Sequence, residues 1–114
     1  MLIAAIILFI IAALFGLIIL TGLLQDRPSH KKVVFLHGII AASALLLVIV
    51  YMFLNAAVSP LLITSLILFL LAALGGLTLF IIDMRGGVIP KLLAVLHPLI
   101  ALAGLVSLVI YVLP

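Results

Sequence analysis

Residues 31–51 read KKVVFLHGIIAASALLLVIVY, and residues 91–111 read KLLAVLHPLIALAGLVSLVIY. Both stretches begin with lysine, place a histidine at the same position, continue through an apolar run and end on a tyrosine. About 20 predominantly apolar residues are the length that crosses the hydrocarbon core of a bilayer as a helix. The two stretches therefore predict two membrane-spanning helices, each with one imidazole inside.

The composition of the whole chain is that of a membrane protein. Of its 114 residues, 71% are apolar and 6% are charged, and Asp26 and Asp83 are the only acidic residues. The mean hydropathy is +1.86, whereas a water-soluble domain would need charged side chains over most of its surface. The net charge of +3 comes from basic residues in two short loops, too few for a nucleic-acid-binding groove. Because cysteine is absent, disulfides, thiolate metal sites and covalently attached haem are excluded.

Four apolar stretches follow one another along the chain, each about 22 residues and so about 33 Å long as a helix. They cover residues 2–24, 33–55, 61–82 and 92–113. Their connections are short, which makes sequential helices antiparallel neighbours. We therefore expect an all-α fold, an integral membrane four-helix bundle with up-down-up-down topology, forming a single transmembrane domain. The first stretch lacks the basic flank and the cleavage site of a signal peptide, so we expect it to be retained.

The basic residues of the chain all fall in the first and third connections. They are Arg27, Lys31, Lys32, Arg85 and Lys91. Cytoplasmic loops of membrane proteins carry an excess of lysine and arginine. The sequence therefore predicts cytoplasmic basic loops and both termini outside, in a bacterial or archaeal inner membrane. Two tyrosines, at positions 51 and 111, then fall at the outer interface, where aromatic residues are enriched.

The chain also repeats itself at an offset of 60 residues without a gap, with a first unit at residues 1–56 and a second at 61–114. Matches between apolar residues are frequent by chance in this composition, whereas matches of glycine, lysine, histidine and tyrosine are not. The informative pairs are Gly16 and Gly76, Lys31 and Lys91, His37 and His97, and Tyr51 and Tyr111. Because each unit holds two spans, the two tandem repeats should be related by a pseudo-two-fold axis along the membrane normal. Matched residues then lie at the same depth.

His37 and His97 are the only ionisable side chains well inside the apolar stretches, about five residues and so roughly 7 Å from the cytoplasmic boundary. An ionisable residue at this depth is a functional hypothesis by default. In such a bundle the second and fourth helices are diagonal, with axes roughly 11 to 14 Å apart. Two imidazoles and one iron atom fit that span. A zinc site would need further ligands, whereas a porphyrin supplies four nitrogens itself.

Small residues and cations surround the two histidines. Those singled out are Ala41 and Ala101 on the histidine faces, Ala12 and Gly16 with Ala72 and Gly76 on the first and third helices, and Lys31 and Lys91 on the loop side. The small residues leave room for a flat ligand, although close helix packing is the commoner use of such spacing in lipid. The lysines orient the chain and could also neutralise haem propionates.

This layout resembles the membrane b-type cytochromes, and especially the four-helix haem core of the cytochrome b of quinol-oxidising complexes. In that family the second and fourth helices each supply one axial histidine per haem, and glycines on the first and third helices make room for the ring. The resemblance implies that His37 and His97 bind the iron of haem b and that Gly16 and Gly76 match the glycines. Members with two haems place a second histidine about four turns further along each helix, where this chain has tyrosine. A single haem is therefore implied.

We expect a haem b protein that acts in one-electron transfer or haem sensing, as an electron carrier rather than an enzyme, and as a free protein or a small subunit of a larger complex. Two other classes stay open, in addition to binding of another metal or a pigment. A small four-helix transporter would need an embedded acidic residue, which neither Asp26 nor Asp83 supplies. A structural or assembly subunit would use the histidines for packing alone. The partners considered are the lipid bilayer, other membrane subunits, a second copy of the chain and a quinone; nucleic acid is not expected.

Overall fold

The computed structural model describes residues 1–28, 30–55 and 59–114. These contain four α-helices, α1 (Leu2–Leu24), α2 (Lys31–Leu54), α3 (Pro60–Met84) and α4 (Lys91–Val112). Each helix is long and apolar enough to cross a membrane. The all-helical fold and the four apolar spans are confirmed, and every helix end lies within two residues of the predicted one. The connection between the predicted stretches 33–55 and 61–82, with the first unit's boundary at residue 56, falls partly outside the described residues.

Local sequence explains where α1 and α3 end and where α3 begins. The Ser59 hydroxyl accepts a hydrogen bond from the Leu62 amide at 3.2 Å, and Pro60 occupies a first-turn position where no amide donor is needed. After the last turns of α1 and α3, Asp26 and Gly86 take left-handed conformations with φ of 56° and 71°. A residue in this conformation closes a helix because the amides that follow it bond back to the free carbonyls. The two ends therefore turn in the same way.

The helices associate as two sequential pairs, which we call the first pair (α1 and α2) and the second pair (α3 and α4). Packing is most extensive within each pair. Between the pairs, α1 packs against α4 more extensively than α2 packs against α3. The whole body measures 45 × 23 × 22 Å, longer than the hydrocarbon core of about 30 Å.

The interior between the helices is narrow and built from aromatic and aliphatic side chains. Phe9 of α1 and Phe69 of α3 stack face to face, with ring centroids 3.9 Å apart and planes 3° from parallel. Val48, Leu62 and Leu108 are fully buried around them. Most other large apolar side chains are exposed on the outside of all four helices, which is the reverse of a water-soluble domain.

The burial pattern of α1 reappears in α3. Throughout residues 2–28, each residue is buried, half-buried or exposed in the same way as the residue 60 positions later in 62–88. The two helices therefore use corresponding positions to face the interior. In α2 and α4 the correspondence is close but differs at three positions near the histidines and at one position far from them.

Candidate functional site: the histidine pair

Each histidine is held by a backbone carbonyl of the other helix in its own pair. The Nδ1 atom of His37 lies 2.8 Å from the carbonyl oxygen of Ala12, and the Nδ1 atom of His97 lies 2.8 Å from that of Ala72. A carbonyl oxygen only accepts hydrogen bonds, so Nδ1 carries the proton in both rings. In the neutral imidazole the other nitrogen, Nε2, then keeps its lone pair and can act as a ligand.

Glycine stands where each imidazole crosses the neighbouring helix. A Cβ atom added at Gly16 would lie 3.1 Å from the Cε1 atom of His37, and one added at Gly76 would lie 2.8 Å from the Cε1 atom of His97. The sequence left two uses open for these glycines, room for a haem ring and close helix packing. In the structure they lie against the imidazoles themselves, one helical turn from the carbonyls that these rings bind.

The two imidazoles meet between the pairs. Their ring centroids are 6.1 Å apart and their planes are 86° from parallel. A metal–imidazole bond of about 2 Å on each side of one ion places two ring centroids about 6 Å apart. The centroid separation of His37 and His97 is therefore of the size that one ion bound by both rings would give.

The donor set distinguishes a haem from a bare metal ion. Over the part of the chain that the structure describes, no group of three or more histidine, cysteine, aspartate or glutamate residues could hold a metal. Two imidazoles alone do not complete the four-ligand sites that zinc prefers. A haem iron, which already has four porphyrin nitrogens, needs only the two axial ligands that His37 and His97 could supply. The donor atoms present therefore suit a haem better than a bare zinc ion.

Ala41 and Ala101 follow the two histidines by one turn on α2 and α4, and both are half-buried. A methyl group is the smallest side chain short of glycine, so these positions keep the helix surface low beside each imidazole. Half-burial at these positions is compatible with room for a flat ligand and equally with close helix packing.

Lys31 and Lys91, expected to orient the chain and able to neutralise haem propionates, are each engaged with an aspartate. The Nζ atom of Lys31 lies 2.6 Å from Asp83 Oδ2, and that of Lys91 lies 3.1 Å from Asp26 Oδ1. Both ion pairs cross from one helix pair to the other. No sequence signal points to these ion pairs, because the two aspartates that serve equivalent lysines are not related by the 60-residue offset.

The remaining polar candidates lie away from the histidine pair. His30 precedes α2 and is exposed. Tyr51 and Tyr111 are in contact with each other and line an open cavity with residues near the start of α1. They are 14 residues beyond the histidines, about 21 Å along the helices. The structure thus brings together the histidines, glycines and small residues and leaves the tyrosines at the opposite end.

Comparison of the chain with models of protein families, with curated proteins and with solved structures finds no match. What the site can do is therefore argued from its own geometry and donor atoms.

Proposed function

We propose that this protein is an integral membrane protein that holds one haem b between His37 and His97. The observation that carries the proposal is the separation of 6.1 Å between two perpendicular imidazoles. A haem bound in this way supplies one-electron transfer, and having both axial positions filled favours electron transfer or sensing over oxygen chemistry.

The chain's own residues fix the two ligands. The carbonyls of Ala12 and Ala72 hold the rings in the tautomer that leaves Nε2 as the ligand atom. Gly16 and Gly76 let the rings lie against the neighbouring helices. The stack of Phe9 on Phe69 fills the interior about 10 Å from Gly16 along α1. That stack supports a single haem rather than two.

The proposal includes an orientation in the membrane. All five basic residues flank the connections from α1 to α2 and from α3 to α4, which favours an up-down-up-down bundle with those loops cytoplasmic and both termini outside. The matching burial of residues 2–28 and 62–88 supports two tandem repeats around an axis along the membrane normal. Each histidine follows the first residue of its helix by six positions, or about 9 Å, so both lie near the cytoplasmic side at equal depth.

The haem is tested by an absorption spectrum of protein purified from cells supplied with ample haem. We expect a reducible, low-spin b-type spectrum with about one haem per chain, because two imidazoles coordinate the iron. His37→Ala or His97→Ala should abolish this spectrum or convert it to high spin, since one ligand is lost. His30→Ala is the matched control and should leave the spectrum unchanged. Colourless protein, or a spectrum indifferent to both substitutions, contradicts the proposal.

The orientation is tested separately with topology reporters on the full chain. Reporters fused to either terminus should read as non-cytoplasmic, and reporters inserted in either basic loop should read as cytoplasmic, because the positive charges stay inside. A cytoplasmic C-terminus would contradict the orientation without bearing on haem binding.

One observation also favours a second function, that of a structural or assembly subunit. The hydrogen bonds from His37 to Ala12 and from His97 to Ala72 join the two helices of each pair. Interhelical hydrogen bonds in membranes contribute about 0.6 kcal/mol to stability on average. In this case His37→Ala lowers the stability of the bundle and the wild-type protein carries no haem spectrum. The same purified samples distinguish the two functions.

A further inference from the structure

The charged end of the bundle carries more positive than negative charge. It holds the five basic residues of the chain and its only two acidic side chains, an excess of three positive charges. Both carboxylates, Asp26 and Asp83, are engaged in the ion pairs with Lys91 and Lys31. The chain therefore has no further acidic side chain with which to balance the other three basic residues.

These three residues, Arg27, Lys32 and Arg85, which we call the basic rim, lie on the outside of that end. All three are exposed. Lys32 is five residues before His37, which places it about 140° around α2 from the imidazole. It therefore faces away from the histidine pair. Arg27 follows the end of α1 and Arg85 caps α3, both at the level where the helices leave the apolar region.

We propose that the basic rim binds the phosphate groups of acidic phospholipids in the leaflet that surrounds this end of the bundle. The inference rests on the membrane placement proposed above and not on haem binding. Cations next to the end of a membrane helix are attracted to anionic headgroups, and the planar guanidinium of arginine matches a phosphate with two parallel hydrogen bonds. The outward position of Lys32 favours a lipid phosphate over a propionate of a haem held inside the bundle.

The test is native mass spectrometry of the full-length protein in mixed micelles that contain equal amounts of phosphatidylglycerol and phosphatidylcholine. We expect the wild-type protein to retain phosphatidylglycerol preferentially. The triple variant Arg27→Gln, Lys32→Gln, Arg85→Gln should lose this preference by about fivefold for each cation removed. The control variant Asp26→Asn, Lys91→Gln removes one charge of each sign and should keep the preference; asparagine also tolerates the left-handed backbone at position 26.

Two outcomes overturn the inference. One is equal retention of both lipids by the wild-type protein, and the other is an undiminished preference in the triple variant. A triple variant that keeps its lipid preference but loses haem would assign the basic rim to the propionates instead. If the triple variant does not fold, the wild-type preference measured at rising salt decides, because an electrostatic preference must fall as ions screen it. Wild-type protein without haem that still selects phosphatidylglycerol would refute the haem proposal alone.

Discussion

The first and second pairs of helices hold their histidines by the same bond within different surroundings. Both Nδ1–carbonyl distances are 2.8 Å. The residue after the histidine is Gly38 in α2 but Pro98 in α4, and the residue before the contacting glycine is Phe15 in α1 but Gly75 in α3. Two different local sequences thus produce one geometry. The orientation of the imidazole therefore depends on the facing carbonyl and on the glycine one turn beyond it.

The second pair is the more tightly fitted of the two. The added Cβ at Gly76 would come closer to its imidazole than the one at Gly16, 2.8 Å against 3.1 Å. Deeper in the pair, the buried Ser65 hydroxyl donates to the carbonyl of Gly104 at 2.9 Å, where the first pair has Ala5 and Ala44, both fully buried. Side-chain substitutions should therefore disturb the second pair more than the first.

The largest difference is expected between alanine substitutions at the two contacting glycines. At Gly76 the new methyl group must displace the hydrogen-bonded ring of His97, a kind of overpacking that costs about 1–3 kcal/mol. At Gly16 a shift of the His37 ring by a few tenths of an ångström suffices. The gain of up to about 1 kcal/mol in helix propensity offsets much of the cost of that shift. Thermal unfolding in detergent measures both variants. A control is provided by Gly22→Ala, where no other atom of the described residues lies within 4 Å of the added Cβ atom. Equal destabilisation by the first two variants would contradict the comparison.

Ser65→Ala tests the second difference and should have a smaller effect. It removes the hydrogen bond between α3 and α4, and such bonds between membrane helices contribute about 0.6 kcal/mol on average. The matched control is Ser43→Ala, because the Ser43 hydroxyl donates to the Ile39 carbonyl of its own helix, on an exposed surface, and joins no second helix among the described residues. Denaturation midpoints should fall for Ser65→Ala and stay nearly constant for Ser43→Ala. The hydrogen bond would be irrelevant to the tighter fit of the second pair if the two midpoints were the same.

The smallest effects are expected at the crossed ion pairs, and they should again be unequal. The Asp83 side chain is 15% exposed and the Asp26 side chain is 80% exposed. Exposed ion pairs contribute about 0–1 kcal/mol and are weakened by salt. Lys31→Gln should therefore destabilise the bundle more than Lys91→Gln, and the difference should shrink at high salt. Unfolding of both variants at low and high ionic strength measures the two losses of stability. A larger effect of Lys91→Gln would contradict the expectation that the Lys31–Asp83 pair is the stronger one.

The helices could be predicted from the sequence because apolar length and composition alone determine a membrane span. The 60-residue offset relates His37 to His97 and also relates Phe9 to Phe69. The contacts between the two imidazoles and between the two phenyl rings therefore both had a sequence signal. The ion pairs had none. Asp26 corresponds by the offset to Gly86, and Asp83 corresponds to Leu23. Which lysine each aspartate meets depends on how the two pairs dock, which no local pattern encodes.

The exact role of the two glycines was equally beyond the sequence. Small residues at spacing four on α1 and α3 predict that something approaches the backbone closely. They do not identify what approaches. The structure identifies the imidazole of the neighbouring helix, because only the rotation of α2 on α1 and of α4 on α3 decides which side chain reaches Gly16 and Gly76.

The hydrogen bonds of the histidines also separate two events in the assembly of the protein. Each bond joins residues 25 positions apart within one pair, whereas the contact between His37 and His97 spans 60 positions and both pairs. Membrane helices insert first and associate afterwards, and contacts close in sequence are the quicker to form. The orientation and the tautomer of each imidazole are therefore fixed while its own pair of helices forms. Docking of the two preformed pairs then has to establish only the distance between the rings.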